Sequence, residues 1–344
     1  MISEECKISV VIPTYNEGKF IAKMIESLLS QDIKQERLEV LIVDGNSEDE
    51  TREIVEQYAE KHPWIQLLNN PYKVVPHAMN IGIKASSGEV IVRMDAHSRY
   101  PNNYISTLVN TLCERNVDNV GGAWKTVPGA DTDLALAIAL ATSHPFGIGN
   151  AEYRLESEEI QEVDTVPYGC YPRDLFDRIG YYDEDLVRNQ DDELNARLIA
   201  KGGKILLIPS LKITYSARPE WGKMMKMFYQ YGFYKPLVNK KLGHAATWRQ
   251  FIPPIFVAMI ILGVLLCMYS KVFLPFFGLG ALIYFAGAYL FSFNIMLKEK
   301  NALLILLLPI TFFLIHLSYG WGYLRGVVQF MILGKNKTMV SSSR

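Results

Sequence analysis

Three long stretches without a charged residue constrain this chain more than any other feature of its sequence. They cover residues 251–270, 272–297 and 301–324, and are 20, 26 and 24 residues long. A helix needs about 20 apolar residues to cross the hydrocarbon core of a bilayer. Buried helices of a soluble domain are the alternative, but three successive runs of this length disfavour it. The sequence therefore predicts about three transmembrane helices within residues 251–334.

Charge is distributed unevenly along the chain. Residues 1–211 carry 20 basic and 34 acidic side chains, residues 212–250 carry 8 and 1, and residues 251–344 carry 7 and 1. With 49% hydrophobic residues the chain is not a disordered protein. Nucleic-acid binding is disfavoured, because the acidic part shows no basic face and the basic part leads into apolar sequence. We predict an acidic domain over 1–211, a basic amphipathic interfacial segment over 212–250, and a polar tail over 335–344.

The basic residues around the apolar stretches predict their orientation. Lys240, Lys241 and Arg249 precede the first stretch, which places that side in the cytosol. The first residues are acidic without a signal-peptide pattern, and the four cysteines are scattered, as in proteins of a reducing compartment. We predict a multi-pass protein of the cytoplasmic membrane with its N-terminal domain on the cytosolic face. The last crossing stays open, because a third span would place Lys335 outside.

Two features of the C-terminal half have both a membrane and a packing interpretation. His316 lies inside the third stretch, where a hydrogen bond between helices is the expected role. Met224, Met227 and Phe228 recur at near-helical spacing beside lysines such as Lys226. This pattern predicts an amphipathic helix on the cytosolic membrane surface, close to a lipid-linked substrate. An ordinary packing helix is the alternative for the same residues.

Four apolar runs in the N-terminal part alternate with segments of helical periodicity. The runs are residues 8–12, 40–43, 65–68 and 90–94. Strands of β-branched residues that alternate with helices indicate a mainly parallel sheet with helices on both faces. In such sheets a ligand lies beyond the carboxyl ends of the strands. The predicted fold class is therefore α/β, followed by an all-α transmembrane region.

Candidate ligand-binding residues follow three of these runs. They are Pro13, Thr14, Tyr15 and Glu17 after the first run, Asp44 after the second, and Asp95 and His97 after the fourth. Two acids and a histidine at neighbouring strand ends favour a nucleotide and metal site. Neither GxGxxG nor GxxxxGK[ST] occurs, which argues against dinucleotide and P-loop chemistry. Asp44 taken alone is also explained as a turn former.

Two segments further along the chain add candidates. They are the turn residues Tyr168, Gly169 and Cys170, and the acids Asp191, Asp192 and Glu193 in the first turn of a helix predicted over 190–201. Acids at a helix start complement the helix dipole, so a well-capped surface helix is the alternative for this group. Cys170 is expected to be a packed residue, since no partner base is evident in the sequence.

The ordered set of motifs resembles glycosyltransferase family 2, inverting enzymes of the GT-A fold that use nucleotide sugars. The matching segments are residues 10–17, 43–51, 80–82 with 87–89, 95–97, and 190–194 with Arg197. A narrower resemblance, to the membrane-anchored succinoglycan-type exopolysaccharide glucosyltransferases, rests on residues 95–101, 189–194 and 230–235. Together the motifs cover roughly residues 7–235. The QxxRW signature of processive synthases does not occur, which implies transfer of one sugar per acceptor.

The resemblance implies roles for the candidate residues. Donor binding falls to Pro13, Thr14, Tyr15, Glu17, Asp44, Asn80, Asp95 and Arg218, the acceptor or sugar pocket to Tyr168, Gly169, Cys170, Asp192 and Glu193, and the metal to Asp95 and His97. Asp191 is implied as the general base, and its acidic neighbours are expected to raise its pKa. A membrane-surface contact is the alternative for Arg218. The implied fold is a Rossmann-like GT-A domain with a mainly parallel sheet.

Two positions depart from the family pattern. His97 stands where the family has the second acid of its DxD motif, and imidazole binds Mn²⁺ better than Mg²⁺. A divalent cation, Mn²⁺ or Mg²⁺, is therefore the implied cofactor. Gly45 stands where many relatives have an acid that faces the nucleotide base. Asp44 is expected to take that contact, and uridine follows from the family alone.

The implied reaction moves one hexose, expected to be glucose from UDP-glucose, with inversion onto a polyprenyl-diphosphate-linked saccharide. Such transfer belongs to exopolysaccharide or cell-surface glycan synthesis, with membrane lipids as further partners. One alternative is transfer to polyprenyl phosphate or a glycerolipid. Another is a transfer-inactive nucleotide-binding scaffold of an export complex, which His97 and Gly45 would permit. The intact Asp95 and Asp191 argue against the scaffold, because it needs no base opposite a metal site.

Overall fold

The structure, a computed structural model, describes residues 5–149, 151–155, 157–245 and 247–335. The chain forms two compact units. The first unit contains the described residues up to Lys125 and those from 157 to Tyr215. The second contains the described part of 126–155 and everything described from Ser216 onward. The second unit is thus built from two segments that are separated in sequence.

The first part of the chain alternates strictly between strand and helix. Its elements are β1 (Ile8–Thr14), α1 (Gly18–Leu29), β2 (Leu38–Asp44), α2 (Thr51–Lys61), β3 (Ile65–Asn69), α3 (Val75–Ala85) and β4 (Val90–Arg93). Every residue of β1 and β2 is buried, as expected for strands covered by helices on both faces. The four strands predicted from apolar runs are confirmed, with ends within two residues of the prediction.

The rest of the chain is less regular. The following elements are α4 (Tyr104–Arg115), β5 (Asn119–Val127), α5 (Asp133–Ala141), α6 (Pro145–Ile148), β6 (Gln161–Glu162), β7 (Cys170–Pro172), α7 (Leu175–Ile179), α8 (Gln190–Ala200) and β8 (Ile205–Ser216). Then come α9 (Trp221–Leu242), α10 (Ile252–Tyr269), α11 (Leu274–Glu299), α12 (Leu304–Gly326) and a π-helical turn (Val327–Ile332). Of the helices, α5, α6 and α9–α12 belong to the second unit.

One eight-stranded sheet runs in the order β3-β2-β1-β4-β7-β5-β8-β6. The pairs β3–β2, β2–β1 and β1–β4 are parallel, whereas β7 runs antiparallel to β4 and to β5. The register places Thr14 opposite Asp44 and Val11 opposite Arg93. The α/β class with a mostly parallel, mixed sheet is therefore confirmed. The carboxyl ends of β1, β2 and β4 lie along one edge of this sheet, where a ligand is expected.

Three helices of the second unit are long and apolar enough to cross a membrane. They are residues Arg249–Tyr269, Lys271–Glu299 and Leu304–Ile332. The first two carry many large apolar side chains in exposed positions, such as Met259, Leu262 and Phe276. Exposed apolar surface of this extent is a cost in water and is favourable in lipid. The three long helices predicted from the uncharged stretches are present at the predicted places.

Helix α9 packs closely against α12. A Cβ atom on Gly232 would lie 2.0 Å from the carbonyl oxygen of Tyr319, and one on Gly322 would lie 2.2 Å from that of Tyr229. Such contacts need small residues on both helices. Met224 and Met227, on which the amphipathic pattern rests, are buried in the same cluster as α12. The packing alternative accounts for this apolar face, and the location at a membrane surface stays a prediction.

His316 joins three parts of the second unit. Its Nδ1 is 2.8 Å from the hydroxyl of Tyr284 on α11, and its Nε2 is 2.8 Å from the carbonyl oxygen of Phe146 on α6. A carbonyl can only accept, so Nε2 carries the proton and Nδ1 accepts from the tyrosine. The hydrogen bond between helices that was expected of His316 is present.

Candidate active site

A buried arginine connects two of the predicted site acids. Arg93 is the last residue of β4, and its side chain is 3% exposed. Its Nε donates to Asp95 Oδ1 at 3.1 Å, and its Nη1 donates to Asp191 Oδ1 at 2.5 Å. One guanidinium therefore contacts both the predicted metal ligand just after β4 and the predicted base on α8.

Asp191 lies in the first turn of α8, with a quarter of its side chain exposed. Burial raises the pKa of Asp191 to about 6, Arg93 opposes this, and Asp95 and Asp192 add to it. The raised pKa was predicted from the acidic neighbours, but burial is the larger cause. A carboxylate with such a pKa is ionised at neutral pH and basic enough to accept a proton from a hydroxyl.

Asp95 and His97 follow β4 in a tight turn. The backbone N–H of Asp95 donates to the hydroxyl of Tyr100 at 2.6 Å, which holds the turn. His97 Nδ1 lies 3.7 Å from Glu17 Oε1. Across the described ranges, no three His, Cys, Asp or Glu side chains are grouped to hold a metal ion. A carboxylate and an imidazole fit a divalent ion that takes its other ligands from substrate phosphates and water.

Asp44 forms a turn at the end of β2. Its fully buried carboxylate accepts from Ser47 Oγ at 2.5 Å, from the Ser47 N–H at 2.9 Å, and from Arg52 Nη1 at 3.0 Å. Thr14 Oγ1 lies 3.4 Å away on β1. These contacts match the turn-former alternative for Asp44. Its contact with a nucleotide base stays a prediction.

The loops after β1, β2 and β3 meet around Tyr15. Lys73 Nζ lies 5.4 Å from the centre of the Tyr15 ring. A Cβ on Gly45 would lie 3.2 Å from both Tyr15 Cδ2 and Lys73 Cα, so the absence of a side chain at Gly45 permits this approach. Pro13 is buried in β1, and the backbone N–H of Glu17 donates to Thr51 Oγ1 at 2.8 Å. The donor-binding role of these residues stays a prediction.

Asn80 on α3 holds the loop after α7. Its Nδ2 donates to the carbonyl of Tyr182 and to Glu184 Oε1, both at 2.9 Å, and its Oδ1 accepts from the Tyr182 N–H at 3.0 Å. Both ends of the amide are thus used within the protein. Its contact with the nucleotide-sugar donor stays a prediction.

The segment Tyr168-Gly169-Cys170 lies beside Arg93. Tyr168 is buried and has a φ of 53°, a costly conformation for a large side chain. Its ring centre is 5.6 Å from the guanidinium carbon of Arg93, and its hydroxyl accepts from Ser98 Oγ at 3.2 Å. Burial raises the pKa of the Cys170 thiol well above its usual range, which agrees with a packed residue and not a nucleophile.

The two acids after Asp191 have partners within the first unit. Glu193 is buried and accepts two hydrogen bonds of 2.8 Å from Arg197, which also donates to the carbonyl of Tyr181. Asp192 Oδ1 lies 3.4 Å from Thr165 Oγ1. Their role in an acceptor pocket stays a prediction. Arg218 belongs to the second unit, between β8 and α9, and its diphosphate contact is likewise untested.

Arg93 is the site residue that the sequence interpretation missed. The signal was a single charge in the otherwise apolar run 90–94, whose first four residues form the fully buried strand β4. A buried arginine needs acidic partners, and Asp95, two residues further along the chain, was already a predicted site residue. The pairing itself depends on β4 and α8 meeting in space, which no local pattern records.

Comparisons with known proteins identify the family. The family model described as "Glycosyl transferase family 2" matches residues 9–180, half of the chain. The chain therefore belongs to glycosyl transferase family 2. It is 30% identical over 262 residues to succinoglycan biosynthesis protein ExoA of Rhizobium meliloti, covering 75% of this chain and 77% of that protein.

A second relative matches nearly the whole chain. It is the dolichyl N-acetyl-alpha-D-glucosaminyl phosphate 3-beta-D-2,3-diacetamido-2,3-dideoxy-beta-D-glucuronosyltransferase of Methanococcus voltae. The two are 26% identical over 328 residues, which is 94% of this chain and 97% of the relative. The similarity thus extends through the apolar helices as well as the α/β unit.

A solved structure shares the fold. It is the mannosyltransferase PcManGT from Pyrobaculum calidifontis, in complex with GDP-Man and Mn²⁺. The TM-score is 0.57 at 17% identity, with 92% of this chain and 87% of that chain covered. The GT-A fold expected from the motifs is confirmed. The chain is a glycosyltransferase by family.

Proposed function

We propose that this chain is a membrane-anchored glycosyltransferase that moves one hexose, glucose from UDP-glucose, with inversion onto a polyprenyl-diphosphate-linked saccharide. The single observation that carries the proposal is that Asp95 and Asp191 both accept hydrogen bonds from the buried Arg93, one from Nε and the other from Nη1. Transfer from a nucleotide sugar needs a group that binds the leaving diphosphate and a base for the acceptor hydroxyl. These two acids meet both needs at the expected edge of the sheet.

Asp191 is the proposed general base. Its carboxylate accepts the proton of the acceptor hydroxyl while that oxygen attacks the anomeric carbon and the bond to the diphosphate breaks on the opposite face. One displacement of this kind inverts the anomeric centre, so an α-linked donor gives a β-linked product. Burial gives Asp191 a pKa of about 6, close to the operating pH of a cytosolic enzyme.

Asp95 and His97 are the proposed ligands of a divalent ion, which when bound neutralises charge on the leaving diphosphate. The donor chemistry of the pair suits Mn²⁺, and the structural neighbour PcManGT is in complex with Mn²⁺. Pro13, Thr14, Tyr15, Glu17, Asp44, Asn80 and Arg218 are proposed to bind the rest of the donor. Tyr168, Gly169, Cys170, Asp192 and Glu193 are proposed to line the sugar or acceptor pocket.

The proposed acceptor follows from the relatives and the long helices. The relative of M. voltae is named for a dolichyl-phosphate-linked sugar, and that of R. meliloti for succinoglycan biosynthesis. A lipid-linked acceptor requires an enzyme held at a bilayer, and the three apolar helices provide the anchor. We place the protein in the cytoplasmic membrane, with the first unit on the cytosolic face and the second unit in contact with membrane lipids.

The test is transfer by detergent-purified full-length protein. A panel of UDP-, GDP- and dTDP-sugars is offered with a polyprenyl-diphosphate-linked saccharide, in Mn²⁺ or in EDTA. We expect turnover of UDP-glucose that depends on the metal. Asp191→Asn should lower transfer by about 10²–10⁴-fold and keep nucleotide binding, the range for loss of a general base.

The matched control is Asp177→Asn, the same change at an exposed position of α7. It should leave transfer unchanged. Transfer that survives in Asp191→Asn at more than a tenth of the wild-type rate would rule out the proposed base. Turnover of another nucleotide sugar in place of UDP-glucose would replace the proposed donor and keep the reaction class.

A further inference from the structure

We infer that Arg93 is a positioning residue that holds the general base and competes with the divalent cation for Asp95. The inference rests on the proposed function, because it assigns Asp191 and Asp95 the roles given above. It concerns a residue outside the family motifs that identified the site. Three observations carry it: the fork of hydrogen bonds, the fixed position of the guanidinium, and the charge balance of the group.

The fork of hydrogen bonds joins two elements that are far apart in sequence. Nε of Arg93 binds Asp95, two residues along the chain, and Nη1 binds Asp191, 98 residues away. A guanidinium presents its donors in a rigid plane, so the two carboxylates are held at set angles to each other. Lysine, a point charge on a flexible stem, cannot reproduce both contacts.

The sheet holds the backbone that carries this guanidinium, and the guanidinium is itself buried. The backbone N–H of Arg93 donates to the carbonyl of Gly169 at 3.0 Å, and the next N–H, of Met94, donates to Val11 at 3.2 Å. The end of β4 is thereby tied to β1 and to the start of β7. The buried ring of Tyr168 lies over the guanidinium. Asp191 is therefore positioned through Arg93 by the sheet itself.

Arg93, Asp95 and Asp191 together carry more negative than positive charge when both acids are ionised. Two carboxylates, on Asp95 and Asp191, share one guanidinium that is 3% exposed. Arg93 uses Oδ1 of Asp95, and a divalent cation would draw on the same carboxylate. A positive charge at hydrogen-bond distance from a metal ligand also repels the metal. Arg93 therefore weakens cation binding at Asp95 while it orders the base.

Removal of the Arg93 guanidinium should therefore strengthen Mn²⁺ binding and lower kcat. In Arg93→Met, which keeps an unbranched apolar stem and removes the guanidinium with its charge, we expect Mn²⁺ to bind the UDP-saturated protein about three- to tenfold more tightly. The kcat should fall at least about 100-fold, because the base loses its positioning partner, with the KM for the donor within about threefold. Free Mn²⁺ is measured by electron paramagnetic resonance, and kcat and KM by product formation.

Two further variants separate this role from a loss of stability. Arg93→Lys keeps the charge and loses the fork, so Mn²⁺ affinity should stay within about twofold while kcat falls about tenfold. Arg197→Met removes a guanidinium bound to Glu193 on the same helix as Asp191, and should leave Mn²⁺ affinity unchanged. The thermal midpoint of each variant reports its folding. If Arg93→Met does not fold, the kcat and Mn²⁺ affinity of Arg93→Lys test the inference.

Each outcome has one meaning. Weaker or unchanged Mn²⁺ binding in a folded Arg93→Met, or a wild-type kcat in either Arg93 variant, overturns the inference. Equal losses in kcat and in donor affinity in Arg93→Lys also overturn it, because they would indicate a purely structural residue. A wild-type protein that transfers no sugar refutes the proposed function instead. The Mn²⁺ comparison then still tests the competition at Asp95.

Discussion

The side chain of Arg93 lies between the carboxylates of Asp95 and Asp191, with N–O distances of 3.1 Å and 2.5 Å. Asp95 follows a strand of the parallel half of the sheet, and Asp191 lies in the first turn of α8, which comes after the antiparallel strand β7 and the helix α7. The site therefore forms only when both halves of the sheet are assembled.

The pH dependence of transfer should report the ionisation of Asp191. Its pKa is raised to about 6, and the base acts only in its ionised form. About a tenth of the protein is active at pH 5 and about nine-tenths at pH 7. We expect kcat/KM to rise with pH through an apparent pKa near 6 and then to level off. A profile that falls between pH 5 and pH 7, with the protein folded throughout, would contradict this assignment.

The identity of the cation should depend on His97. Removal of divalent ions by EDTA is expected to abolish transfer, with Mn²⁺ restoring it better than Mg²⁺ because imidazole suits Mn²⁺. His97→Asp supplies a carboxylate, which suits Mg²⁺, so the ratio of the Mn²⁺ rate to the Mg²⁺ rate should fall. The ratio is measured at saturating concentrations of each ion. An unchanged ratio of the two rates would show that His97 is not a ligand of the metal.

Gly169 should tolerate no side chain. A Cβ there would lie 2.3 Å from Asn119 Oδ1 and 2.4 Å from the ring of Tyr171, both in buried positions. We expect Gly169→Ala to destabilise the protein by about 1–3 kcal/mol, as overpacking does, with a lower thermal midpoint.

The control for this change is Gly222→Ala in α9. Among the described residues nothing lies within 4 Å of a Cβ at that position, and alanine favours a helix over glycine by up to about 1 kcal/mol. Its thermal midpoint should be equal or higher. Equal midpoints for both alanine variants would show that the approach of Gly169 to Asn119 is not tight.

His316 should contribute to the stability of the second unit. His316→Leu removes the donor to the carbonyl of Phe146 and leaves that oxygen unsatisfied, at a cost of about 1–3 kcal/mol. Tyr284→Phe leaves only His316 Nδ1 without its donor, whereas His316→Leu affects two partners, so the tyrosine variant should cost less, towards the lower end of about 1–3 kcal/mol. Thermal unfolding in detergent measures both.

Tyr289→Phe, at a largely exposed position of the same helix α11, serves as the control and should be neutral. The order of the three midpoints is the informative result. A larger loss in Tyr284→Phe than in His316→Leu would mean that the tyrosine and not the histidine carries the contact.

The parts of the fold that were predictable are those with a strong local pattern. Strands β1–β4 are short runs of β-branched residues between helices, and the three long helices are defined by the absence of charge. Strand β5 contains Gly121 and Gly122, and β8 contains Pro209, residues that normally weaken a strand. Their assignment depends on tertiary contacts. A Cβ on Gly122, for example, would lie 2.4 Å from the carbonyl oxygen of Leu211.

The site was predictable to a similar degree. The strand-end rule selected Asp95, and the family pattern selected Asp191. Their common partner Arg93 lies in a position where local patterns predict an apolar residue, so it was missed. Motifs also do not predict the hydrogen bonds by which Asp44 and Glu193 hold turns and loops. A motif records a residue type, whereas its hydrogen-bond partner is set by elements distant in sequence.

The division of the second unit into two chain segments has a consequence for how the protein is made. Asp133, at the start of α5, accepts a hydrogen bond from Asn301, which lies 168 residues later, and the buried face of α5 contains Ala137 and Ile138. At about 5–20 residues per second, a ribosome needs about 8–34 seconds to reach that partner. During this interval the apolar face of α5 lacks the later helices against which it packs, such as α9 and α12. In a chain cut before α9 the apolar face of α5 would stay uncovered, so a water-soluble version of the first unit also needs residues 126–155 to be redesigned.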